Sequence, residues 1–121
     1  MRLTLLGTGA ADGIPSFAYR SPLSDLALHE GGKNRRTRSA ALVDDDLKID
    51  LGPDTWSQCA SCGVDPKEWT GLVFTHSHDD HLCPSELQYF LIPFTEDDRL
   101  PFTVYGNAEV LRIIRERYLD W

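Results

Sequence analysis

Apolar residues along this chain fall into short bursts separated by polar or glycine punctuation. Arg2-Leu3-Thr4-Leu5-Leu6 reads as a first strand, stopped by the turn Gly7-Thr8-Gly9. From residue 10 to residue 38 no period emerges, and Pro15, Pro22, Gly31 and Gly32 interrupt the stretch. It is expected to be a long loop, of a length that in small domains usually serves as a functional lid or a mobile segment. Residues 39–43 form a short apolar strand, Asp44-Asp45-Asp46 a polar turn, and Leu47-Lys48-Ile49-Asp50-Leu51 an alternating strand. Together they predict a β-hairpin ended by Gly52-Pro53.

Further along, residues 55–62 are weakly helical with Gly63 as a stop, and Asp65-Pro66 has the form of a helix start with Asp65 capping. Gly71-Leu72-Val73-Phe74-Thr75 is apolar enough for a fully buried strand. Residues 85–92 predict an amphipathic helix, and Phe102-Thr103-Val104-Tyr105 another strand closed by Gly106-Asn107. Val110, Leu111, Ile114 and Tyr118 recur at helical spacing, which makes residues 108–119 the clearest helix of the chain. Strand-rich at first and alternating later, the order predicts an α/β (α+β layered) domain without internal repeats.

Composition narrows the class. With 121 residues, 41% hydrophobic and 26% charged, the chain has material for one core and not for two. No apolar run approaches the roughly 18 residues of a membrane helix, and residues 1–6 are too short for a signal peptide. The expected setting is cytoplasmic and away from membranes, and three cysteines, an odd number, fit a reducing compartment. The formal net charge of −7 is unevenly placed. Residues 1–43 hold six basic and three acidic side chains, whereas residues 44–121 hold six basic and sixteen acidic. Such a chain is a poor general nucleic-acid binder, because Lys and Arg neutralising phosphates dominate that affinity. Carboxylates crowded beside histidines point instead to a cation.

That crowding is sharpest at His76-Ser77-His78-Asp79-Asp80-His81, where three of the four histidines fall within six residues. Imidazole and carboxylate are borderline ligands that suit zinc, iron, manganese or nickel. A strand carries residues 76 and 78 on one side, so both can face one ion, and a turn after it can present Asp80 and His81 to a second. Without a cation, burying so many titratable groups would cost several kcal/mol. The plainer alternative is a charged turn that only caps a strand.

The pattern His76-x-His78-x-Asp80-His81 resembles the HxHxDH signature of the metallo-β-lactamase superfamily, in which it follows an apolar strand. Leu47-Lys48-Ile49-Asp50-Leu51-Gly52-Pro53-Asp54 is similar to that family's earlier strand-end aspartate motif, and Leu5-Leu6-Gly7-Thr8-Gly9 to its opening strand and turn. Gly7-Thr8-Gly9-Ala10-Ala11-Asp12-Gly13-Ile14-Pro15 most resembles the phosphodiesterase branch, which holds tRNA 3′-processing nucleases and cyclic phosphodiesterases of phosphonate breakdown. The resemblance implies a dinuclear site with two divalent ions, zinc first and manganese or iron as alternatives. His76 and His78 would hold one ion, and Asp80 and His81 the other. A bridging hydroxide would be the nucleophile, oriented by the catalytic Asp80. Asp50 would support the histidine loop by hydrogen bonds; as a plain hairpin-end residue it would cap a backbone amide.

The same resemblance implies ligands that this chain lacks: a third histidine, a bridging aspartate and a final histidine from beyond residue 121. The remaining histidine, His29, falls in the early loop. The family fold is a four-layer αββα sandwich of two similar halves, so residues 1–121 are expected to be the first half of one such domain. The chain is then part of a longer protein or a homo-oligomer. Other signals are weaker. Cys59-Ala60-Ser61-Cys62 offers half a zinc site or a redox pair, with Cys83 a third ligand, or simply two small residues on a helical turn. The basic run 33–38 reads as a solvated, mobile loop or as a contact for a substrate phosphate. Gly7-x-Gly9 lacks a third glycine and reads as a plain turn. Trp56, Trp69 and Trp121, and Phe90, Leu91, Ile92 and Phe94, read as packing residues, the latter four alternatively as a pocket wall. The expected function is a metal-dependent hydrolase of a small-molecule or nucleotide phosphodiester. The alternatives are a non-catalytic metal-binding or assembly module, and an iron-dependent redox protein of the same fold.

Overall fold

Five short strands carry the architecture. In the computed structural model, which describes residues 1–118, they are β1 (Leu3–Gly7), β2 (Ala40–Val43), β3 (Leu47–Ile49), β4 (Gly71–Val73) and β5 (Thr103–Tyr105), laid side by side in sequence order. β1–β2 and β2–β3 are antiparallel, whereas β3–β4 and β4–β5 are parallel. The antiparallel hairpin closes where Asp44 and Asp45 both take positive φ, a conformation tight turns need and aspartate tolerates. The parallel pairs require crossovers, and these carry helix α2 (Thr55–Cys62) and a 3₁₀ segment, Pro84–Phe90. Helix α3 (Ala108–Tyr118) follows β5, capped by Asn107, whose Oδ1 accepts from the Val110 amide at 3.0 Å.

The hairpin, α2, the Asp65 cap and α3 lie where the sequence pattern places them; Leu119 and Trp121 fall outside the described residues. Two expectations are corrected. The stretch 10–38 is not aperiodic throughout: helix α1 spans Pro22–Glu30, with Ser21 Oγ accepting from the Ser24 amide at 3.1 Å and Pro22 opening the first turn. Residues 85–92 do not form an α-helix. Pro84–Phe90 winds as a 3₁₀ segment, in which only Leu87 is fully covered. The two patterns mislead for different reasons: at residues 85–92 an i, i+3 spacing fits either winding, whereas α1 buries the small Ser24 and Ala27 and turns its leucines outward.

The core sits on one sheet face. Leu6, Leu42, Leu72 and Phe74 pack there against Cys59 of α2, Leu87, Trp69, Phe102, and Val110 and Ile114 of α3. Trp69, Phe90 and Phe102 form an aromatic triangle, with ring centroids 5.8 Å and 6.1 Å from Trp69 and 4.9 Å between the two phenylalanines. The opposite face is differently made. Leu3 and Leu5 of β1 and Tyr105 of β5 are 57%, 60% and 52% exposed, and the intervening Val43, Leu47, Ile49 and Val73 are half-covered. Of residues 90–94, Phe90 and Leu91 join the core as expected, but Ile92 and Phe94 are exposed.

One core residue is charged. Lys48, central in β3, is fully buried on the helix-covered face. Burial pulls its ammonium from the ordinary 10.5 down to about 8, against the opposing pull of Cys59 and Asp50. The unfolded chain keeps this proton to higher pH than the fold does. Stability should therefore rise between pH 8 and 10.5, by on the order of 3 kcal/mol from this group. Urea midpoints measured across that range should show the rise in the native chain, and Lys48→Met should remove it. The two sheet faces should also differ in sensitivity. Leu72→Ala is expected to cost about 2–5 kcal/mol, and Leu5→Thr on the open face roughly 0.5 kcal/mol or less, as read by the same denaturation.

Candidate metal centre

The histidine cluster begins three residues beyond the end of β4. It is not on a strand, as sequence reading expects for residues 76 and 78, but on a tight turn in which the His81 and Leu82 amides donate to the His78 carbonyl at 2.9 and 2.7 Å. The turn is stitched to the chain just past β3: the Leu51 amide donates to the His81 carbonyl at 2.9 Å and the Cys83 amide to the Leu51 carbonyl at 2.8 Å. Gly52 completes this seam, because a Cβ there would run into the Asp80 carbonyl oxygen. Only glycine lets the two segments approach so closely.

Asp50 organises the side chains. It is buried, and its backbone takes the left-handed region at φ 61°, unusual for a residue other than glycine. One carboxylate oxygen, Oδ1, accepts from the Thr75 amide at 2.8 Å. The other, Oδ2, accepts from Thr75 Oγ1 at 2.9 Å and from His81 Nδ1 at 2.7 Å. An ionised carboxylate only accepts, so the Thr75 hydroxyl spends its one proton on Asp50 and must itself accept from His76 Nδ1, 3.0 Å away. One carboxylate therefore sets the tautomer of two imidazoles, His81 directly and His76 through Thr75. In neutral imidazoles this leaves each Nε2 as the lone-pair nitrogen, the form that ligates a metal.

Ligand atoms of three of these side chains converge. His81 Nε2 lies 3.1 Å from Asp80 Oδ2, and ligand atoms of His76, Asp80 and His81 all fall within 4.8 Å of one another. The His76 ring centroid is 4.1 Å from that of His81 and 4.6 Å from that of His78. A lone pair and a carboxylate oxygen facing each other at 3.1 Å call for a positive charge between them, a proton or a cation. Two imidazoles and a carboxylate fit a borderline divalent ion such as zinc. The partition expected from the sequence, His76 with His78 and Asp80 with His81, is thus not the grouping seen: His76 stands with Asp80 and His81, and His78 lies at the rim, more exposed.

Other sequence signals lie elsewhere. His29 is exposed on α1. Cys59 is buried in the core, Cys62 is exposed one turn further along α2, Cys83 is half-buried, and all three are free. Burial pushes the Cys59 and Cys83 thiols upward, away from thiolate reactivity. Among the described residues they form no three-ligand group. The basic run is exposed over residues 33–37, as expected of a solvated segment, yet its arginines are tied down by hydrogen bonds. Arg35 Nη2 donates to the Leu28 carbonyl at 2.9 Å and Arg36 Nη1 to Thr8 Oγ1 at 2.9 Å, while Arg38 binds Asp54 Oδ1 at 2.9 Å and the Ala11 carbonyl at 3.0 Å. Arg38 and Asp54 thereby staple the opening loop to the strand end that bears Asp50. A cavity of about 190 Å³ under α1, lined by Ile14, Leu23, Ala27, Lys33 and Arg36 among others, includes none of the cluster residues. Thr75 and Gly52 were not singled out from the sequence. The readable signals were a hydroxyl immediately before the cluster and a glycine two residues beyond Asp50.

Three solved structures share this arrangement of elements. A diphosphatase of the PhnP family matches over 98% of this chain and 46% of its own, with 24% identity and a TM-score of 0.72. Zn(2+)-bound PqqB from Methylobacterium extorquens matches over 96% and 40%, with 21% identity and a TM-score of 0.74. Human tRNase Z, short form (ELAC1), matches over 98% and 40%, with 26% identity and a TM-score of 0.61. All three are members of the metallo-β-lactamase superfamily, and this chain has their fold. It spans less than half the length of each. No protein-family model and no curated protein sequence matches the chain.

The hydrogen-bond chain makes a specific forecast. Asp50→Asn and Thr75→Val should each weaken zinc affinity by about 10–100-fold, Asp50→Asn by releasing His81 directly and Thr75→Val by removing the hydroxyl that links Asp50 to His76. Calorimetric titration with zinc checks both, and circular dichroism confirms that the variants remain folded.

Proposed function

We propose that this chain carries the metal-binding half of a metal-dependent hydrolase, residues 1–121 forming the first half of one metallo-β-lactamase domain, and that its substrate is a phosphodiester. The observation that carries this reading is the Asp50 network together with the ligand atoms of His76, Asp80 and His81, which lie within 4.8 Å of one another. His76, Asp80 and His81 would hold a divalent ion, zinc first and manganese or iron as alternatives, with His78 at the rim as a ligand for the same or a second ion. Such a cation supplies Lewis acidity and lowers the pKa of a water enough to furnish a nucleophile at neutral pH. Asp80, beside that cation, is placed to accept the proton of an attacking water and to orient it. Asp50 and Thr75 keep the imidazoles aimed while charge changes in front of them.

The phosphodiester rests on two supports. The opening loop resembles the phosphodiesterase branch, and two structural neighbours are named a diphosphatase and a tRNase. The acidic balance of residues 44–121 argues against broad nucleic-acid binding. No described helix is long and apolar enough to cross a membrane.

A second reading, a metal-binding or assembly module without turnover, is favoured by the open sheet face of Leu3, Leu5 and Tyr105. On either reading that face is the side on which further chain or a second copy would pack. The test measures metal content after zinc loading together with hydrolysis of bis(p-nitrophenyl) phosphate and of a β-lactam and a thioester. The hydrolase reading expects bound zinc, zinc-dependent phosphodiester cleavage, and loss of both in His81→Ala and His76→Ala. Bound zinc without any turnover supports the module, and cleavage of the lactam or thioester alone overturns the substrate class. Unchanged zinc content in His76→Ala and His81→Ala would remove the site assignment altogether.

A further inference from the structure

A buried lysine is costly, and Lys48 lacks the usual compensation. Among the described residues no carboxylate side chain hydrogen-bonds or pairs with it. Its Nζ donates to the main-chain carbonyl of Ile49 at 3.1 Å and, in a shorter bond, to that of Asp50. The Trp69 ring lies beneath, its centroid 5.7 Å away, and Cys59 of α2 is the nearby titratable group besides Asp50. A methionine or leucine would occupy the same volume without desolvating an ammonium. What those side chains could not supply is donors. β3 ends at Ile49, and the left-handed Asp50 takes its carbonyl out of the regular ladder. Left-handed backbone costs roughly 1–2 kcal/mol in a residue with a Cβ, and such a conformation persists only where its surroundings over-determine it.

The surroundings here are visible. Asp50 is held at its amide by the Val73 carbonyl at 2.8 Å, at its carbonyl by Lys48, and at its carboxylate by Thr75 and His81. We propose that Lys48 is a positioning residue for the metal centre: from inside the core its ammonium clamps the main chain of Asp50 in the left-handed conformation that lets one carboxylate hold both His81 and Thr75, and through Thr75 His76. This rests on reading the cluster as a metal site, although the clamp itself can be examined without metal. The same core that pulls Lys48 down to about 8 leaves it charged at pH 7, so the donors are in place under ordinary conditions.

The first measurement is on metal-free protein at pH 7. Long-range ¹H–¹⁵N NMR reads the His81 tautomer directly. The native chain should show His81 protonated at Nδ1, and Lys48→Met should move its two nitrogen shifts toward the averaged values of a free histidine. Ile114→Ala, which weakens the core from α3 and away from β3, should leave them unmoved. Zinc affinity should then fall about tenfold in Lys48→Met. A folded Lys48→Met with native His81 shifts and native zinc affinity would overturn the proposal, as would Ile114→Ala moving those shifts equally. Should Lys48→Met not fold, the native chain still decides: the Lys48 ammonium protons should be protected from exchange and coupled through hydrogen bonds to the carbonyl carbons of Ile49 and Asp50. An ammonium exchanging as fast as a surface lysine refutes the clamp. If the native chain takes up no zinc, the metal reading falls, while the tautomer measurement still decides the clamp.

Discussion

Everything at this site hangs on the carboxylate of Asp50. Two imidazoles, one hydroxyl and one amide are arranged around it, and each is fixed in direction and protonation because an ionised carboxylate can only accept. The burial that makes such a carboxylate expensive is offset by three donors at good length, the Thr75 amide, the Thr75 hydroxyl and His81 Nδ1. The site is therefore defined from behind. Donors to a cation are not merely near one another; they are presented with lone pairs outward by a group on the far side. A turn rich in histidine alone would leave each ring free to choose its tautomer and rotamer.

Main-chain seams bring the parts together. The parallel pairing of β3 with β4 sets the ends of the two strands side by side, and the chain past each end provides Asp50 on one side and the histidine turn on the other. This is the usual place for function in a sheet with parallel strands, at the carboxyl ends where loops diverge. The seam between Leu51 and the 81–83 segment, with Gly52 against Asp80, keeps the two loops from separating. Arg38 and Asp54 extend the same stitching to the opening loop, so residues that are distant in sequence form one continuous frame.

Much of this was legible in the sequence because the signals were local. Three aspartates between two apolar bursts state a hairpin; Val110 and Ile114 at helical spacing state α3; and three histidines in six residues announce a cation site. Asp50 was readable only by likeness to a motif, since nothing local distinguishes a strand-end aspartate that caps an amide from one that holds an imidazole. Lys48 was illegible for a different reason. The alternation Leu47-Lys48-Ile49 ordinarily turns the lysine outward, and here it is inverted, with Lys48 covered and Leu47 and Ile49 on the open face. Helix α1 failed to show for the converse reason: its covered positions are the small Ser24 and Ala27, so its hydrophobic pattern marks its exposed side. In both places the rule that apolar means inside is reversed, on a sheet whose second face remains uncovered in these 118 residues.

The position of β3 has a consequence for how this molecule opens. It is the middle strand of five, bonded on both flanks, and the chain continuing from it is sewn to the metal turn. Local unfolding should begin at the periphery, where α1 and the outer edge of β1 have least holding them, and reach β3 last. The amides of Asp50 and Leu51 should then exchange with solvent only on near-global unfolding, long after those of residues 10–38. The frame behind the ligands is thus as persistent as the fold itself, so the geometry of the site should outlast the opening of the peripheral segments.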